Sequence, residues 1–167
     1  MNFSHLKNKL AGPIYSIITP LTETENIDYK SLSSYIDYLY NNGARIFYAM
    51  AFNTRYLLMN NQEIKDINQF VIKKVKSLNP ENLVIVGDPL HCSTQTSIEF
   101  AKHAKECGAD VISLIYRAYL FFDDHVYDHY KAVADAIPDI GILVHEMPFM
   151  KGIPQHQDGK WSMGLID

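Results

Sequence analysis

A β-rich apolar segment followed by an amphipathic helical one recurs along this chain at intervals of about 30 residues, which restricts it to folds built on parallel strands. Parallel neighbours need a long crossover, and a helix between each pair of strands supplies it. Residues 13–20 form the first short apolar run, bounded by Pro13 and Pro20 and suited to a strand buried on both faces. Residues 46–51, 83–86, 111–116 and 140–145 repeat it. Between them lie four helical patterns. Leu32, Tyr35, Ile36, Leu39 and Tyr40 recur at spacings of three and four after the cap Asp28, and Asn42-Gly43 ends the run. Asn60 or Asn61 opens a stripe of Ile64, Ile67, Val71 and Val75, closed by Asn79-Pro80. Ser93 or Thr94 caps a third helix through Lys105, ended by Gly108; Asp123 or Asp124 caps a fourth to Ala136, stopped by Pro138.

The pattern predicts a single α/β domain over residues 1–167, with five parallel strands and four helices. That is the first part of a (β/α)8 TIM barrel, which takes about 250 residues when complete. Residues 1–11 read as a polar lead-in and residues 151–160 as a polar loop. Ser162 reads as a cap followed by Met163, Leu165 and Ile166, so the chain is expected to be cut just inside a fifth helix.

With 47% hydrophobic residues the 167-residue chain can build one sizeable core. Its net charge of −4 is dispersed, so the basic stripe of a nucleic-acid binder is missing. No apolar run approaches the roughly 18 residues of a spanning helix, and the first ten residues lack the apolar centre of a signal peptide. Cys92 and Cys107 have no ligand spacing, and His91 beside Cys92 lacks the further ligands a metal needs. A cytoplasmic protein without a bound metal is expected, with neither nucleic acid nor a membrane as its partner.

In parallel α/β folds the binding groups gather at the C-terminal ends of the strands. Here those ends are Thr19-Pro20, Phe52-Asn53-Thr54-Arg55, Asp88-Pro89, Tyr116-Arg117-Ala118-Tyr119 and His145-Glu146. Asn53 and Thr54 offer hydrogen-bond donors for a carboxylate, or ordinary turn chemistry. Arg117 and Arg55 offer bidentate contacts to an anion, or surface salt bridges. Asp88 before Pro89 reads as a turn former. His103, His125 and His129 fall on helices as surface or packing residues, and Lys73, Lys74 and Lys76 read as a solvated helix face.

Residues 93–110, STQTSIEFAKHAKECGAD, closely resemble the third-helix segment of the dihydrodipicolinate synthase and N-acetylneuraminate lyase family. The resemblance continues in register. Thr19-Pro20 with Asp28 is similar to the family's Thr-Pro…Asp pattern, and Tyr127-Asp128-His129-Tyr130 to its Tyr-x-His-Phe segment. Val144-His145-Glu146-Met147-Pro148, with Gly152 four residues on, has the spacing of Leu-Tyr-Asn-x-Pro…Gly. It implies a (β/α)8 barrel acting as a class I aldolase on pyruvate or a related 2-oxo acid, with no metal or organic cofactor and as a homo-oligomer. A lysine on the sixth strand forms the Schiff base in such proteins, and its iminium is the electron sink for making or breaking a C–C bond.

Carried over residue by residue, the resemblance changes most of the site. Phe52 and Asn53 stand for the two threonines of the Gly-Thr-Thr-Gly-Glu turn, and Arg55 for its glutamate. His145 stands for the proton-shuttling tyrosine and Glu146 for the asparagine after it. Tyr116-Arg117-Ala118 aligns with Pro-Tyr-Tyr, with Tyr119 one residue on, and Met150 replaces a carboxylate-binding arginine unless Lys151 substitutes. The Schiff-base lysine is expected beyond residue 167. His145 is the candidate catalytic residue, and Phe52, Asn53, Thr54, Tyr116, Arg117 and Tyr119 are the candidate substrate-binding residues. The expected function is a divergent carbon–carbon lyase or aldolase. The alternatives are a small-molecule-binding or regulatory barrel without aldolase chemistry, and a half-barrel that assembles with another chain.

Overall fold

The helices begin where polar side chains satisfy their first free amides. The structure is a computed structural model and describes residues 3–50, 54, 58–89, 92–115 and 123–145. Asp28 accepts hydrogen bonds from the Ser31 amide at 3.0 Å and the Ser31 hydroxyl at 2.6 Å, opening α2 (Tyr29–Asn41). Of the two candidate caps for α3 (Asn61–Leu78) it is Asn60 that serves, in a reciprocal capping box with Glu63. Ser93, not Thr94, caps α4 (Thr94–Cys107). α2 is followed by Gly43 at φ 96° and α4 by Gly108 at φ 98°, left-handed positions that cost glycine nothing in Cβ strain. α5 spans Asp123–Ala136.

Strands β1 (Tyr15–Ser16), β2 (Ile46–Ala49), β3 (Leu83–Gly87), β4 (Val111–Ile115) and β5 (Gly141–His145) form one parallel sheet in chain order. The alternation of side chains sorts them into two cores. Phe47, Ala49, Val84, Val86, Ile112, Leu114 and Ile142 pack with the apolar stripes of α2 to α5. Ile46, Tyr48, Leu83, Ile85 and Val111 pack on the opposite face. Five parallel strands with helices over one face are the first part of a (β/α)8 barrel, and the second face is the barrel interior.

Two strands end earlier than the sequence suggests. β1 is two residues long, because the chain turns aside into a bridge between Leu21 and Ile27, held where the Asp28 amide donates to the Pro20 carbonyl at 2.9 Å. β2 stops at Ala49 because Met50 takes a left-handed φ of 55°, outside the β region. The predicted Tyr116 end of β4 and the predicted helix after Ser162 lie outside the described residues.

Within the polar lead-in, residues Phe3–Lys9 form α1, a helix beyond the four that the sequence pattern predicts. Its one buried side chain, Leu6, packs with Ile46, Leu83 and Val111 at the N-terminal ends of three strands, so α1 closes the bottom of the interior. A Cβ on Gly141 would stand 2.6 Å from Leu6 Cδ2, so glycine there gives α1 its seat. Lys76 departs from the expected solvated face. Its ammonium group donates to both Asp110 carboxylate oxygens at 2.9 and 2.7 Å and to the Asn82 carbonyl at 2.7 Å. Asp110 also accepts from the Val84 amide at 2.8 Å, which ties the end of α3 to the starts of β3 and β4. Lys74 pairs with Asp37 at 2.7 Å. Among the described residues no helix is long and apolar enough to cross a membrane.

Candidate active site

β4 reads Val-Ile-Ser-Leu-Ile, and its serine is fully buried. A hydroxyl in such a strand needs a partner. Tyr48 of β2 provides it: its phenol donates to Ser113 Oγ at 2.7 Å. The two strands are not adjacent, so the tyrosine must cross β3. It can do so because Gly87 of β3 lies beside Ser113 in the ladder and carries no side chain. A Cβ at Gly87 would stand 2.5 Å from the Met50 carbonyl oxygen, closer than real Cβ contacts come, and 3.2 Å from Tyr48 Cε2, a tight contact. The left-handed Met50 thus turns its carbonyl over the glycine that makes room for the tyrosine ring.

The phenol of Tyr48 also lies 3.2 Å from Nδ1 of His145, the last residue of β5. The two rings are tilted at 54° with centroids 5.9 Å apart. Ser113 pairs with Leu143 and Ile115 with His145, which sets the imidazole one step above the serine toward the C-terminal ends. Burial lowers the pKa of His145 below the ordinary imidazole value and favours its neutral form. Among the described residues nothing hydrogen-bonds its Nε2. The result is a row of hydroxyl, phenol and imidazole running from strand to strand inside the barrel, able to hold and pass a proton at the imidazole.

The other strand ends differ in kind. Thr54 is 1% exposed, with its hydroxyl 3.9 Å from the Met50 sulfur. Asp88 is buried; its carboxylate accepts from Ser97 Oγ at 2.8 Å and from the Ile115 amide at 3.0 Å, joining the end of β3 to α4 and β4. His129 is buried with Nδ1 2.9 Å from Thr94 Oγ1, packing α5 against the start of α4. Phe52, Asn53, Tyr116, Arg117 and Tyr119 lie outside the described residues, as do Arg55, His91, Glu146, Met150 and Lys151. Of the sequence candidates, His145 is seen with polar partners, Tyr48 and through it Ser113, inside the barrel. Its partners Tyr48 and Ser113 were missed. The lone serine in an apolar strand was the available signal for Ser113; Tyr48 gave none beyond its inward parity. Among the described residues no group of three His, Cys, Asp or Glu side chains is placed to hold a metal ion.

A parallel sheet with its helices on one face and its polar row at the strand C-terminal ends defines a protein of the (β/α)8-barrel class. Within that class the chain belongs to the Dihydrodipicolinate synthetase family, whose profile matches residues 9–154. A 4-hydroxy-tetrahydrodipicolinate synthase of Psychrobacter sp. (strain PRwf-1) is 28% identical over 147 residues, covering 87% of this chain and 47% of the relative. Human N-acetylneuraminate lyase is 28% identical over 150 residues, covering 88% of this chain and 46% of the lyase. Among solved structures, a prophage protein of the dihydrodipicolinic acid synthase family from E. coli K12, in complex with pyruvate, superposes with a TM-score of 0.77 at 22% identity, over 86% of this chain and 47% of that one. The chain spans about half the length of the curated relatives it matches.

Proposed function

We propose that this chain forms the first five strands of a carbon–carbon lyase or aldolase acting on a pyruvate-like 2-oxo acid, with His145 as its proton carrier. The observation that carries the reading is the position of His145. It ends β5, where the family resemblance puts the proton-shuttling tyrosine, and it is buried enough to be held neutral beside the Tyr48 phenol. A neutral imidazole near pH 7 accepts a proton more readily than a phenol gives one up, so the substitution keeps acid–base capacity at this point of the barrel.

The covalent part of the proposal needs a neutral lysine on a sixth strand, beyond residue 167. Its amine adds to the keto carbon and water leaves; the resulting iminium withdraws the electron pair of the bond made or broken at the neighbouring carbon. Asn53, Thr54, Arg117, Tyr116 and Tyr119 are proposed to bind the substrate carboxylate and its polar tail, with Phe52 as an apolar wall. The site so formed takes a small molecule, in a homo-oligomer within the cytoplasm.

The test is borohydride reduction of the protein, expressed with all that its gene encodes, in the presence of pyruvate. A covalent adduct with the mass of one reduced pyruvyl group is expected, located on a lysine after residue 167. If pyruvate binds and no adduct forms, the protein is a binding or regulatory barrel; Phe52 and Arg55, which replace a hydroxyl and a carboxylate of the family turn, are what favour that second reading.

A further inference from the structure

Tyr48 does more than fill the barrel interior: we infer that the Tyr48–Ser113 pair is a tautomer lock that holds His145 as the Nδ1–H form and leaves Nε2 as the proton acceptor. The inference deepens the proposed role of His145 and rests on it for its use in a reaction, though not for its geometry. A tyrosine hydroxyl has one proton, and that proton is engaged by Ser113 Oγ at 2.7 Å. The same oxygen meets His145 Nδ1 at 3.2 Å, so in that pair the imidazole supplies the proton and the phenol oxygen receives it. One nitrogen of a neutral imidazole carries hydrogen and the other a lone pair, and the bond made by the first decides which. With Nδ1 donating, Nε2 carries the lone pair.

Three features make the lock firm. Ser113 is fully buried and Tyr48 is 6% exposed, so water competes weakly for either hydroxyl. The tyrosine ring is held in its path by Gly87 beneath it and the Met50 carbonyl beside it. The three residues sit on strands β2, β4 and β5 rather than on loops, so their spacing is set by the sheet ladder. Tyr48 and Ser113 are thus positioning residues, which act on a substrate through His145.

The experiment is nitrogen NMR of the full-length protein labelled with 15N-histidine, with the His145 signals assigned by loss in His145→Gln. In the unaltered protein Nδ1 is expected to show the shift of a protonated ring nitrogen and Nε2 that of an unprotonated one. Tyr48→Phe removes the acceptor and is expected to abolish the preference. Ser113→Ala takes away the acceptor that holds the phenol proton and lets the phenol donate to Nδ1, so it is expected to reverse the pattern to Nε2–H. A protonated Nε2 in the unaltered protein, or the same pattern in all three proteins, overturns the lock. If Tyr48→Phe does not fold, the reversal in Ser113→Ala decides. The borohydride adduct reports on the lysine chemistry alone, so a failure there with the expected nitrogen shifts counts against the lyase reading and leaves the lock standing.

Discussion

Asp88 shows how one carboxylate fixes the local geometry at the top of the sheet. It accepts from the Ser97 hydroxyl and the Ile115 amide while itself buried, so two elements depend on one side chain. Asp88→Ala is expected to cost roughly 3 kcal/mol in urea unfolding, since it removes a buried acceptor shared by the Ser97 hydroxyl and the Ile115 amide. Asp88→Asn, which keeps an acceptor for the Ile115 amide, is expected to cost clearly less. Single histidines act on pH dependence instead. His145 and His103 both have pKa values lowered first by burial, and His103 further by Lys65. A group harder to protonate when folded lets the unfolded chain bind more protons. Stability then rises with pH between the lowered folded values and the ordinary value of about 6.5, is level above that, and is lost on acidification below it. A denaturation series from pH 8 to 5 is expected to show this fall, and His103→Asn combined with His145→Asn to flatten it.

At the scale of elements, the caps were readable because they act over three or four residues. Asp28, Asn60, Ser93, Gly43 and Gly108 each stand beside the amides or carbonyls they serve. Asn60→Ala is expected to lower stability by about 1 kcal/mol, measured by thermal unfolding, because it dismantles the capping box of α3. α1 was not readable: with only Leu6 buried among its seven residues, it has no apolar stripe to announce a helix. Nor was the polar row at the site, whose members are 65 and 97 positions apart in the chain and meet only when the ladder sets their heights. His145 was found through resemblance to a family pattern, not through its neighbours. Gly87→Ala tests the packing of that row at the level of the strand. Its methyl would meet the Met50 carbonyl oxygen, a backbone atom with little freedom, so a loss of about 1–3 kcal/mol in chemical denaturation is expected.

Over the whole molecule, the two ends of the sheet are built for different tasks. The bottom is fastened by Leu6 of α1 and by the Lys76–Asp110 pair, which joins α3 to β3 and β4. Leu6→Ala is expected to cost about 3 kcal/mol, read from the midpoint of urea unfolding, because the cavity opens under a rigid row of strand starts. The C-terminal ends carry the Tyr48–Ser113–His145 row toward which the departures from the family pattern cluster in sequence, as function grafted onto a common barrel permits. Gly87 gives this arrangement a consequence across generations. A lineage that gains a larger side chain at that position crowds the Met50 carbonyl and the ring of Tyr48, and one that loses the ring leaves His145 without its proton acceptor. The three positions are therefore expected to change together in related sequences. Transplanting the histidine alone into another barrel would carry over a side chain without the neighbours that give it a defined chemical form.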